Sequence, residues 1–312
     1  MPARPEAAAT AVPSRPSRTR AWRLAARPAT LPAALAPVLV GLGVALGEGV
    51  FRPLPALGCV AVALLLQVAA NLANDLFDFR SGADGADRLG PPRAAATGLL
   101  TERDLALGIA LVVGLAGVVG LGLVAIGGPV LLVLGALAVV SAVAYTGGPW
   151  PYGYHGLGEV FVFAFFGFVA VAATAYLQTG AWEPLAFAAA IPVGAIVSGI
   201  LVVNNLRDLP TDRAAGKRTL ATRIGRRATK AEFLVLLAAA YATPVGILLS
   251  GASSIPVLLP LASLPLAVPL VRAVRADGDP RRLNAVLRGT ARLSLVFGVL
   301  FAVGLALGGR PG

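Results

Sequence analysis

The chain has 312 residues, of which 57% are hydrophobic and only 13% are charged. Soluble globular domains carry roughly 25% charged residues, so this composition excludes an ordinary soluble fold and indicates a membrane-embedded protein. A net charge of +11 could suggest a nucleic-acid partner. The basic residues lie in short segments between apolar stretches, however, which favours membrane orientation and phosphate binding over nucleic acid. One cysteine and one histidine exclude an intrachain disulfide and argue against a metal site built from those residues.

The N-terminal segment is rich in proline, alanine and arginine. We expect residues 1–21 to be a disordered basic tail on the cytoplasmic side, and residues 22–312 to form a single transmembrane domain that starts with a short interfacial piece at 22–27. A cleaved signal peptide is the alternative. Its apolar region would begin earlier and would lack prolines such as Pro32 and Pro37.

Hydrophobic stretches of about 20 residues, the length that crosses a bilayer, recur along the rest of the chain. Frequent glycine and alanine suit close helix packing in lipid. The sequence therefore predicts an all-α polytopic bundle of about nine transmembrane helices, at residues 30–47, 53–74, 104–123, 126–145, 157–178, 185–206, 231–250, 255–271 and 290–308.

Lysine and arginine are distributed very unevenly between the two ends of these spans. With the N-terminus inside, 24 of the 26 basic residues fall on the inner side, and only Arg52 and Arg310 fall outside. This is the positive-inside pattern, and it predicts a cytoplasmic N-terminus. The inner loops are also the long ones and carry most of the acids, so we expect the functional face to be cytoplasmic.

The first polar motif lies at the inner end of the second span. Asn71, Asn74, Asp75 and Asp78 are three, four and seven positions apart, which puts them on one face of a helix. An Asp near the bilayer centre costs about 2.5–3.5 kcal/mol on insertion scales. We therefore expect this face to border a water-filled cavity or a polar partner.

The second polar motif lies at the inner end of the sixth span. Asn204 and Asp208 are one helical turn apart. Because proline disfavours a helical residue before it, Pro210 predicts that the helix ends near Asp208 and that Asp212 lies on the following loop, able to turn back toward Asp208.

If the two motifs adjoin, four carboxylates converge. Like charges about 5 Å apart repel by roughly 3 kcal/mol at an effective dielectric of 20, so such a cluster needs cations. Carboxylate and amide oxygens suit Mg²⁺, which completes its coordination with substrate phosphates. Basic residues beside the motifs offer anion contacts. Together these features predict that the protein binds a substrate with a diphosphate head and a tail that lies in lipid. The bases are Arg80, Arg93, Arg207, Lys217 and Arg218.

Several other residues keep two interpretations. Arg27 could hold an acceptor carboxylate or anchor its helix at the membrane surface. Glu159 could be functional, as intramembrane acids often are, or could serve packing. Tyr145 and Trp150 are most simply interfacial aromatic residues, and His155 a polar loop residue.

The two acidic motifs resemble those of the UbiA superfamily of intramembrane prenyltransferases. The resemblance is closer to the branch that prenylates 1,4-dihydroxy-2-naphthoate in menaquinone synthesis. It covers the chain from about Trp22 to the last span. The segments that carry it are residues 27–32, 71–84, 88–93, 145–149, 157–159, 165–167, 204–220 and 287–292.

The resemblance implies a nine-helix fold with a cytoplasmic site. The family often has a third acid four residues after the position of Asp78, where this chain has Gly82, so Asp84 is the nearest substitute. The implied Mg²⁺ ligands are Asp75, Asp78, Asp208, Asp212 and Asp84. The implied or expected substrate-binding residues are Asn71, Asn74, Arg80, Arg93, Asn204, Arg207, Lys217, Arg218 and Arg27.

The resemblance also implies an activity: transfer of a polyprenyl group from its diphosphate to 1,4-dihydroxy-2-naphthoate, with loss of carbon dioxide and diphosphate, in the cell membrane. The product would be demethylmenaquinone. Two alternatives remain open. One is a prenyltransferase of the same superfamily that uses 4-hydroxybenzoate or homogentisate. The other is a cation transporter, which would carry its acids near the bilayer midplane on broken, repeated helices.

Overall fold

The structure, a computed structural model, describes residues 17–82, 88–276 and 278–309. Most of the predicted tail, residues 1–16, and the candidate ligand Asp84 therefore lie outside the described residues. The described chain is already helical at Arg18, inside the segment expected to be disordered. Within the described ranges all regular structure is helical, as the apolar periodicity predicts.

Among the residues that the structure describes, eight helical segments are long and apolar enough to cross a membrane, and one further apolar helix is shorter. These nine segments match the nine predicted spans, so the prediction of a polytopic α-helical membrane protein is confirmed. The helices are α1 (Arg18–Ala26), α2 (Leu31–Gly47), α3 (Pro53–Arg80), α4 (Glu102–Gly127), α5 (Pro129–Ala144), α6 (Gly158–Val162), α7 (Ala170–Thr179), α8 (Pro184–Ala214), α9 (Leu220–Leu249), α10 (Leu264–Arg275) and α11 (Leu283–Gly308).

The outer surface of the bundle is apolar. On α4, Leu111 is 64% exposed and Val118 is 70% exposed. Contiguous apolar surface of this kind is rare on soluble monomers. In a bilayer it contacts lipid tails without cost, which agrees with the membrane assignment.

The interior of the bundle is built around α8, which packs against α9 and α11, while α2 packs against α11, α7 and α3. Small residues allow these close approaches, as is usual where helices associate in lipid. A Cβ atom added to Gly43 of α2 would lie 2.5 Å from the backbone of Ala302 in α11. Bulkier side chains at this crossing would push the two helices apart.

One transmembrane segment changes its helical geometry partway along. Between α6 and α7, residues Phe163–Val169 form a π-helix. π-helical turns are rare and occur often at functional sites. Here the segment packs against α8, where a Cβ atom added to Gly167 would lie 3.1 Å from the carbonyl oxygen of Ala190. Two of its aromatic residues, Phe165 and Phe166, line the interior cavity of the bundle.

Candidate functional site

The described residues of the bundle line a large, partly open cavity of about 1830 Å³ that reaches the ends of α3 and α8. Its lining is polar where these two helices end and apolar along the middle of α2, α5 and the π-helix. A chamber that is charged at one end and apolar along its length suits a ligand with an ionic head and a hydrocarbon tail.

Helix α8 extends past Pro210 and ends at Ala214, so the prediction that it stops near Asp208 is wrong. Proline removes one backbone donor and usually kinks a helix. Within this last turn the Thr211 hydroxyl donates to the Asp208 carbonyl oxygen at 2.9 Å. The chain turns instead at Gly216, whose φ of 72° is left-handed. Asp208 and Asp212 therefore lie one turn apart on the same helix.

Asp78, near the end of α3, is the most heavily contacted acid of the cavity. Its Oδ2 accepts a hydrogen bond from Arg93 Nη2 at 2.6 Å. Its Oδ1 accepts one from the Tyr154 hydroxyl at 2.5 Å and lies 3.3 Å from Lys217 Nζ. The side chains of Asp78 and Arg93 are only 8% and 6% exposed. Their pairing therefore offsets the cost of burying each charge.

The two acidic motifs meet through Lys217. Its Nζ, besides contacting Asp78, lies 3.9 Å from Oδ1 of Asp212 and 4.4 Å from the centre of the Tyr154 ring. The backbone N–H of Lys217 donates to the Asp212 carbonyl oxygen at 2.9 Å, which directs the chain back toward α8. The predicted convergence of the first and second motifs is thus present for Asp78 and Asp212.

Asp208 is held by its neighbour Arg207. The guanidinium donates through Nε to Oδ1 at 2.7 Å and through Nη2 to Oδ2 at 2.5 Å. Arg207 also donates to Oδ1 of Asn284 at 2.8 Å and to Oδ1 of Asn204 at 2.9 Å, and it is 2% exposed. Arg207, predicted as an anion contact, therefore neutralises an acid of the site and ties α8 to α11.

The amides and acids of the first motif divide into two groups. Asn74 lines the cavity and accepts a hydrogen bond from the Thr146 hydroxyl at 2.9 Å. Asn71 and Asp75 do not belong to the lining. Asn71 instead donates to the Ala26 carbonyl oxygen at 2.9 Å, which fixes the turn that carries Arg27. Helical spacing predicted a shared face but not this division.

Two predicted phosphate contacts lie elsewhere. Arg80 forms an exposed ion pair with Glu102 at 2.7 Å, and Arg218 is exposed beside a shallow basic depression. Neither lines the cavity: Arg80 is the last residue of α3, and Arg218 lies in the segment between α8 and α9. Arg93, Lys217 and Arg27 do line it. Arg27 adopts a left-handed φ of 49° between α1 and α2.

Four aromatic rings form one wall of the cavity. The Tyr152 and Phe161 rings stack with centroids 4.2 Å apart, and Phe165 and Tyr145 flank them at 6.3 and 5.5 Å. The Tyr152 hydroxyl donates to the Ser141 carbonyl oxygen at 2.9 Å, so its polar end is satisfied by α5. Burial raises the pKa of Tyr152 to about 12, and the ring therefore stays neutral. We call Tyr145, Tyr152, Phe161 and Phe165 the aromatic wall.

Three further residues of the site were not predicted from the sequence. Tyr154 contacts both Asp78 and Lys217, although the loop that carries it contains no charged residue. Asn205 lines the cavity and donates to Glu159 Oε1 at 2.7 Å, so Glu159 supports an amide from behind. Asn284 is 77 positions from its partner Arg207. Of these three residues, only Tyr154 has a signal in the sequence, the cluster of tyrosines at positions 145, 152 and 154.

The chain matches known proteins over most of its length. The "UbiA prenyltransferase family" profile matches residues 34–296. The 1,4-dihydroxy-2-naphthoate octaprenyltransferase of Escherichia coli is 36% identical over 93% of this chain and 96% of the relative. The protein of the same name from Mycobacterium tuberculosis is 39% identical over 92% and 97%.

Solved structures share the fold. A UbiA homologue from Aeropyrum pernix K1 aligns with a TM-score of 0.68 at 16% identity, over 87% of this chain and 97% of that one. A homologue from Archaeoglobus fulgidus, solved with GPP and Mg²⁺, aligns with a TM-score of 0.65 at 15% identity, over 91% and 99%. Sequence, fold and cavity agree, and the chain belongs to the UbiA prenyltransferase family.

Proposed function

We propose that this protein transfers a polyprenyl group from its diphosphate to 1,4-dihydroxy-2-naphthoate, releasing diphosphate and carbon dioxide and giving demethylmenaquinone in its reduced, quinol form. The observation that carries the proposal is the cavity in which Asp78 and Asp212 share Lys217 at one end and apolar residues line the rest. The names of the bacterial relatives support the naphthoate as acceptor. The site would lie at the cytoplasmic face of the cell membrane, as the basic inner loops favour.

A Mg²⁺ ion fits the donor groups at the charged end. No group of three His, Cys, Asp or Glu side chains that could hold a metal ion occurs among the described residues. Mg²⁺, however, usually takes only one or two carboxylates and completes its shell with substrate phosphates and water. Asp78 and Asp212 are the carboxylates we propose for this role, with Asp208 and the amide oxygens of Asn74 and Asn204 beside them. When bound, the ion would offset the charge of the diphosphate leaving group.

The protein's own donors would hold the diphosphate. Lys217 and Arg93 line the cavity and both contact Asp78, so a diphosphate at this end would meet an ammonium and a guanidinium. Hydrogen bonds from cations to phosphate oxygens are shorter and stronger than neutral ones. The Tyr154 hydroxyl lies on the same side and donates to Asp78, which holds that carboxylate in place. The ammonium and the guanidinium would stabilise the charge that grows on the leaving oxygen.

Breaking the allylic C–O bond leaves its electron pair on the diphosphate and a positive charge on the prenyl carbon. The aromatic wall is suited to that charge, because ring faces attract cations within about 6 Å by roughly 0.5–2 kcal/mol. The same rings exclude water, which would otherwise capture the cation as an alcohol.

The ring carbon that bears the carboxylate then forms the new C–C bond with the prenyl cation. The electron pair of the bond to the carboxylate returns to the ring as carbon dioxide leaves, so this step needs no proton acceptor. The lining arginines Arg20, Arg23 and Arg27 of the α1 region are available to the acceptor's carboxylate before it departs. The apolar product can pass sideways into the bilayer.

Offering several acceptors to one preparation tests the assignment. The purified protein in liposomes would receive labelled polyprenyl diphosphate, Mg²⁺, and either 1,4-dihydroxy-2-naphthoate, 4-hydroxybenzoate or homogentisate. We expect prenylation of the naphthoate to dominate, with one carbon dioxide released per product from carboxyl-labelled substrate. Preferential prenylation of either other acid would refute the proposed acceptor while keeping the reaction type. Mg²⁺ flux without prenyl donor would instead support a transporter.

A further inference from the structure

The two acids of the first motif have different surroundings although they are one turn apart on α3. Asp78 lines the cavity, whereas Asp75 is 1% exposed and does not line it. The Oδ2 of Asp75 accepts the backbone N–H of Ala94 at 3.0 Å, and its Oδ1 accepts that of Ala95 at 3.1 Å. Both carboxylate oxygens therefore bind the backbone of a turn that lies between the third and fourth helices.

Arg93 is the first residue of that turn. The Thr97 hydroxyl donates to the Arg93 carbonyl oxygen at 2.7 Å and the Thr97 N–H donates to it at 3.1 Å, so the turn closes on itself. Ala94 and Ala95 are buried at 0% and 6% exposure and pack in one cluster with Leu72 and Leu76 of α3. We call residues 93–98 the arginine turn.

The arginine turn is attached to α3 at two successive positions on one helical face. Asp75 binds its backbone, and Asp78, three residues later, receives the guanidinium of Arg93. Backbone donors to a carboxylate form strong, directional bonds. The position of the Arg93 side chain beside the cavity therefore depends on the bonds that Asp75 makes behind it.

We infer that Asp75 is a positioning residue that fastens the arginine turn and thereby holds Arg93 at Asp78, and that it is not a ligand of the metal. An ion could reach Asp75 only if Ala94 and Ala95 left their buried positions. The inference rests on the proposed function only for the identity of the metal and diphosphate. Asp78 and Asp212 would then supply the carboxylates from the cavity side.

Two variants with opposite expectations test the inference. Asp75→Asn keeps one acceptor oxygen but replaces the other with an amide group that cannot accept the second N–H. Asp78→Asn changes the acid that faces the cavity. Asp104→Asn is the matched control, because the Asp104 carboxylate also accepts a backbone N–H, from Thr101, and lies outside the cavity lining.

The first measurement is hydrogen–deuterium exchange of the folded protein in detergent. In Asp75→Asn we expect amides of the arginine turn to exchange roughly tenfold faster or more, as the loss of a charge-assisted hydrogen bond implies. Asp104→Asn should leave this segment unchanged. Wild-type exchange of the arginine turn in Asp75→Asn would overturn the inference.

The second measurement is Mn²⁺ binding, followed by electron paramagnetic resonance with geranyl thiodiphosphate, a donor analogue that ionises poorly. We expect Asp75→Asn to keep its Mn²⁺ affinity within about threefold of wild type, while Asp78→Asn loses roughly tenfold or more, as lost metal ligands and their supports do. An equal loss in both variants would make Asp75 a ligand and overturn the inference. Neither measurement needs the acceptor, so failure of the naphthoate assay would not affect the result.

A third measurement separates a positioning role from general destabilisation. The prenyl-transfer rates of three variants would be compared: Asp75→Asn, Arg93→Gln and the double variant. If Asp75 acts through Arg93, the double variant should be no slower than Arg93→Gln alone. Additive losses would contradict the inference. Should Asp75→Asn not fold, Asp75→Glu replaces it, because its longer side chain keeps the charge but cannot bind both N–H groups from the same backbone position.

Discussion

Lys217 Nζ lies 3.3 Å from Oδ1 of Asp78, although the two residues are 139 positions apart. This contact joins the loop after α8 to the end of α3. It brings the two acidic motifs, which the four helices α4 to α7 separate in the sequence, to a single charged end of the cavity. The same ammonium lies near Asp212, so each motif contributes one acid to the charge around it.

Replacement of Lys217 by Met should raise the KM for polyprenyl diphosphate and lower kcat/KM by about 10- to 100-fold, the value of one charge-assisted hydrogen bond. The reason is that the ammonium would contact both the acids and the diphosphate. Initial rates in liposomes at varied donor concentration measure the effect. Lys230→Met is the control, since Lys230 Nζ donates to the Arg275 carbonyl oxygen outside the cavity. Equal donor KM values in the wild type and Lys217→Met would contradict the role.

Replacement of Arg207 by Met should destabilise the fold as well as abolish transfer. It leaves Asp208 and two asparagine oxygens without their donor, and breaking a buried pair costs about 3–5 kcal/mol. Thermal unfolding in detergent should therefore begin at a clearly lower temperature. The double variant Arg207→Met/Asp208→Asn should regain part of the loss because it removes the unpaired charge.

Arg213→Met on the same helix is the matched control for Arg207, because Arg213 is exposed and lies outside the cavity lining. Its unfolding temperature should equal that of the wild type. Wild-type unfolding of Arg207→Met would show that the network around this guanidinium adds no stability.

Replacement of Phe161 by Leu should divert part of the prenyl donor to water. Phe161 stacks on Tyr152 in the aromatic wall, and loss of a ring face near the allylic cation should slow transfer by roughly 2- to 30-fold. The ratio of free prenol to prenylated product, measured by chromatography, gives the fraction of donor that reacts with water. The control is Phe187→Leu, whose ring is 41% exposed outside the cavity. An unchanged ratio of prenol to product would remove the aromatic wall from the mechanism.

The fold follows closely from the sequence because lipid imposes a simple rule. Every apolar stretch of about 20 residues must satisfy its own backbone hydrogen bonds, so it forms a helix. Where local rules compete, prediction fails. Pro210 would end a helix in isolation, but α8, which packs against α9 and α11, runs through it to Ala214.

The candidate site was predicted in part. The acids Asp78 and Asp212 could be found from spacing, since charged residues at a helix end in the membrane need a polar environment. The difference between Asp75 and Asp78 could not be found this way, because helical periodicity gives the face of a residue but not what covers it. Tyr154 and Asn284 were missed for the same reason: their partners are distant in sequence.

The measurement that tests the account most directly is prenyl transfer to 1,4-dihydroxy-2-naphthoate by Asp78→Asn and Asp212→Asn in liposomes, with labelled donor and Mg²⁺. The exposed acid Asp279, changed to Asn, is the control. We predict that both cavity variants fold and insert but lose transfer by about 100- to 1000-fold, as enzymes do without a group that stabilises developing charge. Full transfer by either cavity variant would contradict the account.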